Sequence, residues 1–130
     1  MIPLFKVFVD SKQATSQLEK VFNSGFIGQG PQVDTFEVQL KELLESTRDP
    51  LTVNSCTSAL ELALHLCDVK YKYVITTPQT CTASNTAIVS RGGHICWADV
   101  DMFTGNILPS SVEKRIEECG GPSKVAAIMA

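Results

Sequence analysis

The sequence predicts an α/β fold, a mostly parallel sheet with helix cover, and two observations carry that prediction. From residue 51 onward, apolar runs of strand length alternate with helical periodicity in the order β-α-β-α-β-α-β, the order of parallel strands joined by right-handed crossovers. The strand segments are also near-continuous apolar runs, as strands buried on both faces are. No internal repeat, low-complexity tract or shift in composition divides the chain.

The elements follow in order. Residues 1–10 are apolar and extended, with Pro3 against an early helix. Residues 11–23 read as a helix that Ser11 caps, with Leu18, Val21 and Phe22 as its stripe. Gly25, Gly28, Gly30 and Pro31 make a turn. A second helix over 32–45 places Val33, Phe36, Leu40, Leu43 and Leu44 on one face. The segment 1–50 is thus an extended lead and two helices. In the segment 51–130, residues 51–54 form a short buried strand. The helix over 55–67 follows, with Leu60, Ala63, Leu64 and Cys67 inward. Residues 73–77 are a strand ended by Pro78, and 80–93 a helix closed by Gly92. Residues 94–100 are the next strand. A helix with Pro109 near its start and Gly120 at its end leads to a last strand over 124–130. The last residue, Ala130, stands inside that apolar strand with no turn residues after it, which reads as a domain cut short.

Composition narrows the function. At 130 residues the chain is one domain's worth of sequence, and 44% apolar with 19% charged residues is a folding composition. Eleven basic and fourteen acidic residues give a net charge of −3, so no nucleic-acid partner is expected. No apolar run approaches the roughly 18 residues of a membrane span, and the N-terminus has no signal-peptide pattern. Cys56, Cys67, Cys81, Cys96 and Cys119 contain no CxxC pair, so no metal site is expected, and reduced thiols in the cytoplasm are the default.

Ligands of open α/β sheets bind where strands end and helices begin. Asn54-Ser55-Cys56-Thr57-Ser58-Ala59 is one such junction. Its small residues free backbone N–H groups for an anion, the helix dipole adds positive potential, and the Thr57 and Ser58 hydroxyls can donate, which together describe a phosphate cradle. Helix capping by Ser55 or Thr57 explains the same residues. Neither GxGxxG nor GxxxxGK[ST] is present. Thr77-Pro78-Gln79-Thr80-Cys81-Thr82-Ala83-Ser84-Asn85 is a second junction on the same rim, again readable as a helix start. Elsewhere the ordinary roles suffice. Glu61 and His65 are a surface pair on one helix, and His94 is an exposed turn residue. Asp99 and Asp101, at a strand end after Trp97, are of a type that binds a metal or a ligand, but turn and cap hydrogen bonding is their commoner role. Glu113, Lys114, Arg115, Glu117 and Glu118 form a solvated face. Spacing places neither histidine beside a cysteine nucleophile.

IPLFKVFVD near the start, SGFIGQGPQVDTFE at 24–37, VNSCTSALELAL at 53–64, TTPQTCTASNTAI at 76–88 and WADVD at 97–101 occur in that order. Together they resemble the N-terminal part of the DegT-type nucleotide-sugar aminotransferases, pyridoxal-phosphate (PLP) enzymes of the aspartate aminotransferase fold, fold type I. The resemblance implies part of the large PLP-binding domain, incomplete, with helices on both faces of the sheet. It implies amino transfer, usually from glutamate, to a keto group of a nucleotide-linked sugar, in a homodimer. By motif, Thr57 and Ser58 match the pair that holds the PLP phosphate, and Cys56 stands where the family often has Gly. Cys81 stands where many members place an aromatic plate over the pyridine ring. Asn85, one turn beyond, and Gln29, in the Gly28–Gly30 loop, fall on the substrate side. The family's Schiff-base Lys and the Asp for the pyridinium nitrogen lie beyond the matched region. None of Lys6, Lys12, Lys20, Lys41, Lys70, Lys72, Lys114 and Lys124 falls in the matching motif, so no catalytic residue is assigned.

The family's sheet separates the strand before the phosphate helix from the others by strands later in sequence. The strand at 51–54 is therefore expected to lack a partner, the strand at 124–130 to expose an apolar edge, and the chain alone to be inactive. Some relatives use the same scaffold for dehydration. The alternatives are an inactive α/β module binding a phosphorylated ligand or a full-length relative, and an interaction protein with no ligand.

Overall fold

The computed structural model describes residues 2–3 and 6–130. Met1, Leu4 and Phe5, part of the expected extended lead, lie outside the described residues. The chain forms two compact units, 1–52 and 53–130.

In the first unit, α1 spans Ser11–Ser24 and α2 spans Pro31–Leu43. Asp10, not Ser11, caps α1: its carboxylate accepts the amides of Lys12 and Gln13, both at 3.1 Å, the usual remedy for orphan donors at a helix start. Gly25 ends α1 at φ 75°, a left-handed cap that needs glycine. Pro31 begins α2 instead of ending the turn, because the first helical position has no amide to satisfy. No residue of either helix is fully buried. Their apolar stripes remain open within this unit, with Phe22, Phe36, Leu43 and Leu44 all exposed.

The expected strand at 51–54 does not form. The Thr52 amide and hydroxyl both donate to Glu37 Oε1 at 2.8 Å, so its hydrogen bonds go to a helix side chain and not to a ladder. Leu51 is 70% exposed where a buried strand residue was expected. The Thr52 bonds hold the Glu37 carboxyl below the ordinary carboxylate range. Lys41 Nζ pairs with Asp49 at 2.7 Å.

The second unit carries α3 (Cys56–Leu66), β1 (Tyr73–Thr76), α4 (Thr82–Ser90), β2 (His94–Trp97), α5 (Pro109–Glu118), a 3-10 turn (Pro122–Lys124) and β3 (Val125–Ile128). The sheet has three strands in the order β2-β1-β3, all parallel. Tyr73 to Thr76 pair in register with His94 to Trp97. Against β3 the register slips after Tyr73↔Val125 to Val74↔Ala127, leaving Ala126 as an extra residue.

Alternation along β1 divides the core between the two faces. Val74 joins Leu64, Val69, Ala87 and Ile88 under α3 and α4. Ile75 joins Ala98 and Val112 under α5. The sheet is thus covered by helices on both sides, as expected. Leu64 is buried, but Ala63 and Cys67, expected to face inward, are exposed. With β2 and β3 at the edges of this sheet, Ile128 on β3 is 52% exposed, the apolar edge that was expected.

Candidate functional site

The start of α3 is built by its own side chains. Ser55, extended at φ −159°, caps the helix by accepting the Ser58 amide at 3.1 Å. The Ser55 and Ser58 hydroxyls lie 2.9 Å apart, and Ser58 Oγ donates to Asn54 Oδ1 at 2.8 Å. Ser58 is therefore engaged on both its amide and its hydroxyl. The amides of Cys56 and Thr57 have no protein acceptor among the described residues, the orphan donors an N-terminus offers. Thr57 and Ser58 are half-buried and Cys56 is exposed. Cys56 is the first residue of the helix and is not among the residues with positive φ, so its Cβ sits there without the strain that would require glycine.

The second junction follows β1. Thr77 is buried, and its Oγ1 accepts the Gln79 amide at 3.1 Å. Cys81 is the N-cap residue of α4 and is exposed, with no side-chain cap bond. The C-terminal ends of α3 and α4 meet around a cleft of about 410 Å³ lined by residues including Leu64, His65, Asp68, Ser90 and Arg91. The two helices therefore run the same way, and their N-termini open at the same end of the unit, the end where β1 finishes. Thr57, Ser58 and Cys81 share that end. Asn85 lines a concavity of about 540 Å³ between α4 and β2, walled by Pro78, Thr82, Ile95 and Trp97, whose lining does not include Cys81. The Asn85 Oδ1 atom is buried with no hydrogen-bond partner among the described residues. Gln29 is exposed in the loop before α2, in the other unit.

Trp97 was legible only as part of a motif. Its place in the wall of the concavity, 45% exposed, comes from alternation along β2, which turns Ile95 and Trp97 to one face and Cys96 to the other. The weaker candidates keep ordinary roles. Asp101 Oδ1 accepts from the Thr104 amide at 2.8 Å, the Phe103 amide at 3.0 Å and Thr104 Oγ1 at 3.0 Å. These bonds, the Thr104 amide's first, lower its pKa below the usual range. His94 opens β2, exposed, its ring 5.8 Å from Tyr73. Glu61 does not pair with His65 but with Ser90 and Arg91 on α4. Among the described residues no helix is long and apolar enough to cross a membrane.

Comparison with known proteins bears on what this arrangement is. The chain is 31% identical over 106 residues to the spore coat polysaccharide biosynthesis protein SpsC of Bacillus subtilis (strain 168), covering 81% of this chain and 27% of that protein. It is 33% identical over 99 residues to a UDP-4-amino-4,6-dideoxy-N-acetyl-beta-L-altrosamine transaminase of Campylobacter jejuni (serotype O:23/36, strain 81-176), covering 76% and 26%. Among solved structures, AtS13 from Actinomadura melliaura superposes at TM-score 0.87 with 40% identity over 99% of this chain and 34% of its own. Spr1654 from Streptococcus pneumoniae in its PLP form superposes at TM-score 0.87 with 26% identity over 98% and 31%. The chain thus spans about a third or less of the relatives it matches. The family model of the DegT/DnrJ/EryC1/StrS aminotransferases matches residues 9–130. With nearly every residue inside that match and the fold superposing on sugar aminotransferases, the chain belongs to the DegT/DnrJ/EryC1/StrS aminotransferase family.

Proposed function

We propose that this chain supplies the phosphate-binding end of a PLP-dependent sugar aminotransferase, which moves an amino group from glutamate to a keto group of a nucleotide-linked sugar. The observation that carries the reading is the first turn of α3, where the Cys56 and Thr57 amides and the Thr57 hydroxyl form a donor set fit for a phosphate at the positive end of a helix. Ser58 joins them when its hydroxyl turns from Asn54, with Ser55 still holding the Ser58 amide. Cys81, exposed at the N-cap of α4 at the same end, would stand by the cofactor ring in place of an aromatic plate, a softer contact of smaller area. Gln29 and Asn85 are assigned to the substrate side. When bound, PLP supplies the electron sink for the transfer.

The Schiff-base Lys and the Asp partner of the ring nitrogen have no counterpart in the matched motifs, so these 130 residues alone bind without turnover. The active assembly is a homodimer in the cytoplasm.

The test uses pyridoxamine phosphate, which has no aldehyde to react with surface lysines, titrated into the chain and followed by calorimetry. Saturable binding that Thr57→Val weakens about tenfold, the worth of one charge-assisted hydrogen bond, is expected. No saturable binding, or binding unaffected by Thr57→Val, overturns the assignment.

A further inference from the structure

We propose that Cys96 and Cys119 are a redox pair that closes to a disulfide and staples α5 to the sheet. Cys96 sits in β2 on the face that packs under α5, against Ile75, Ala98 and Val112. Cys119 is the C-cap residue of α5, fixed by its amide's bonds to the Arg115 and Glu117 carbonyls. Twenty-three positions apart in sequence, the two thiols meet with Cys119 Sγ donating to Cys96 Sγ at 3.1 Å. A disulfide needs about 2.05 Å, so the sulfurs must close by about 1 Å, from two side chains already aimed at each other. Both are half-buried, whereas Cys56, Cys67 and Cys81 are exposed.

Arg115 is a second, independent observation at the same place. Its Nε is buried with no hydrogen-bond partner among the described residues. Its charge is held first by Glu118 and, more weakly, by Cys96 and Asp99. Burial, then the hydrogen bond to Cys96, pushes the Cys119 thiol up to about 11. Cys119 holds its proton toward Cys96, which leaves Cys96 Sγ, the acceptor of that bond, as the sulfur that attacks first.

With a small disulfide such as oxidised glutathione as the oxidant, the step balances. Cys96 loses its proton and its sulfur attacks one glutathione sulfur, breaking that S–S bond and releasing one glutathione thiolate, which takes up the proton. Cys119 then loses its proton and attacks Cys96 Sγ in the mixed disulfide, releasing the second glutathione. Two protein thiols are oxidised and one glutathione disulfide is reduced to two thiols.

The experiment treats the folded chain with oxidised glutathione, blocks the remaining thiols with iodoacetamide, and maps peptides by mass spectrometry without reductant. A Cys96–Cys119 bridge lighter by two hydrogens is expected. It should come with a rise in Tm of about 10 °C, the size of effect a closed loop of a few tens of residues gives, reversed by dithiothreitol. Cys119→Ser should trap glutathione on Cys96 and lose the Tm rise. Recovery of Cys96 and Cys119 both alkylated, or bridged to the exposed cysteines instead, overturns the proposal. The peptide map of the unsubstituted chain decides this even if a variant fails to fold. No readout depends on cofactor binding, so the result stands apart from the proposed activity.

Discussion

Glu61 on α3 joins Arg91 at the end of α4, Oε2 accepting from Nη2 at 2.9 Å while Oε1 accepts from Ser90 Oγ at 3.0 Å. One carboxylate thus ties the two helices on one face of the sheet. The Ser90 bond first, then Arg91, holds its pKa below the usual range. The pair is more than a third exposed on the arginine side, so solvent screens it. Glu61→Ala and Arg91→Ala should each lower the urea midpoint only slightly, and the double variant by less than the sum.

The Asp101 turn should show in the acid limb of stability. Its folded-state pKa is lowered by the Thr104 and Phe103 amides and the Thr104 hydroxyl, so as pH falls the unfolded chain binds the proton first. Its contribution is complete above the ordinary aspartate value of about 3.9 and is lost as pH falls from there through the lowered folded value. Melting curves between pH 7 and 3 should steepen below about pH 4, and Asp101→Asn should flatten that limb.

Burial separates two isoleucines of the same sheet layer system. Ile88, a fully buried residue of α4, should cost about 2–5 kcal/mol as Ile88→Ala. Ile128, 52% exposed on β3, should cost well under half of that as Ile128→Ala. Equal losses in equilibrium unfolding would mean that the edge of β3 is covered in solution.

Ser55 caps α3 through the Ser58 amide. Ser55→Ala should lower stability by about 1 kcal/mol. It should also free the Ser58 amide toward the phosphate end, so pyridoxamine phosphate binding should fall less than in Thr57→Val. Calorimetry on both variants checks the ordering.

Element types were legible because they depend on near neighbours. Helical spacing found the five α-helices among the described residues, and three of the four expected strands formed where apolar runs stood between turn residues. Of the junction residues, Ser55 was readable as a cap and Cys56-Thr57-Ser58 as a helix start, since capping is a matter of three or four adjacent residues. Neither Asn54 as the acceptor for Ser58 Oγ nor Asp10 as the cap of α1 follows from composition, because several nearby oxygens compete for the same donors.

The sequence by itself determined the alternation of strands and helices, the places where helices begin, and the family motifs, all written in residues a few positions apart. Only the tertiary structure decided which distant groups meet. It gave Glu61 a partner thirty residues away on α4 instead of His65 on its own helix. It bound Thr52 to Glu37 and so left 51–54 without a strand ladder. It brought Cys119 to Cys96. The physical reason is that a period is a local property of one segment, whereas a pairing depends on strand order, register and the facing of two segments across the sheet.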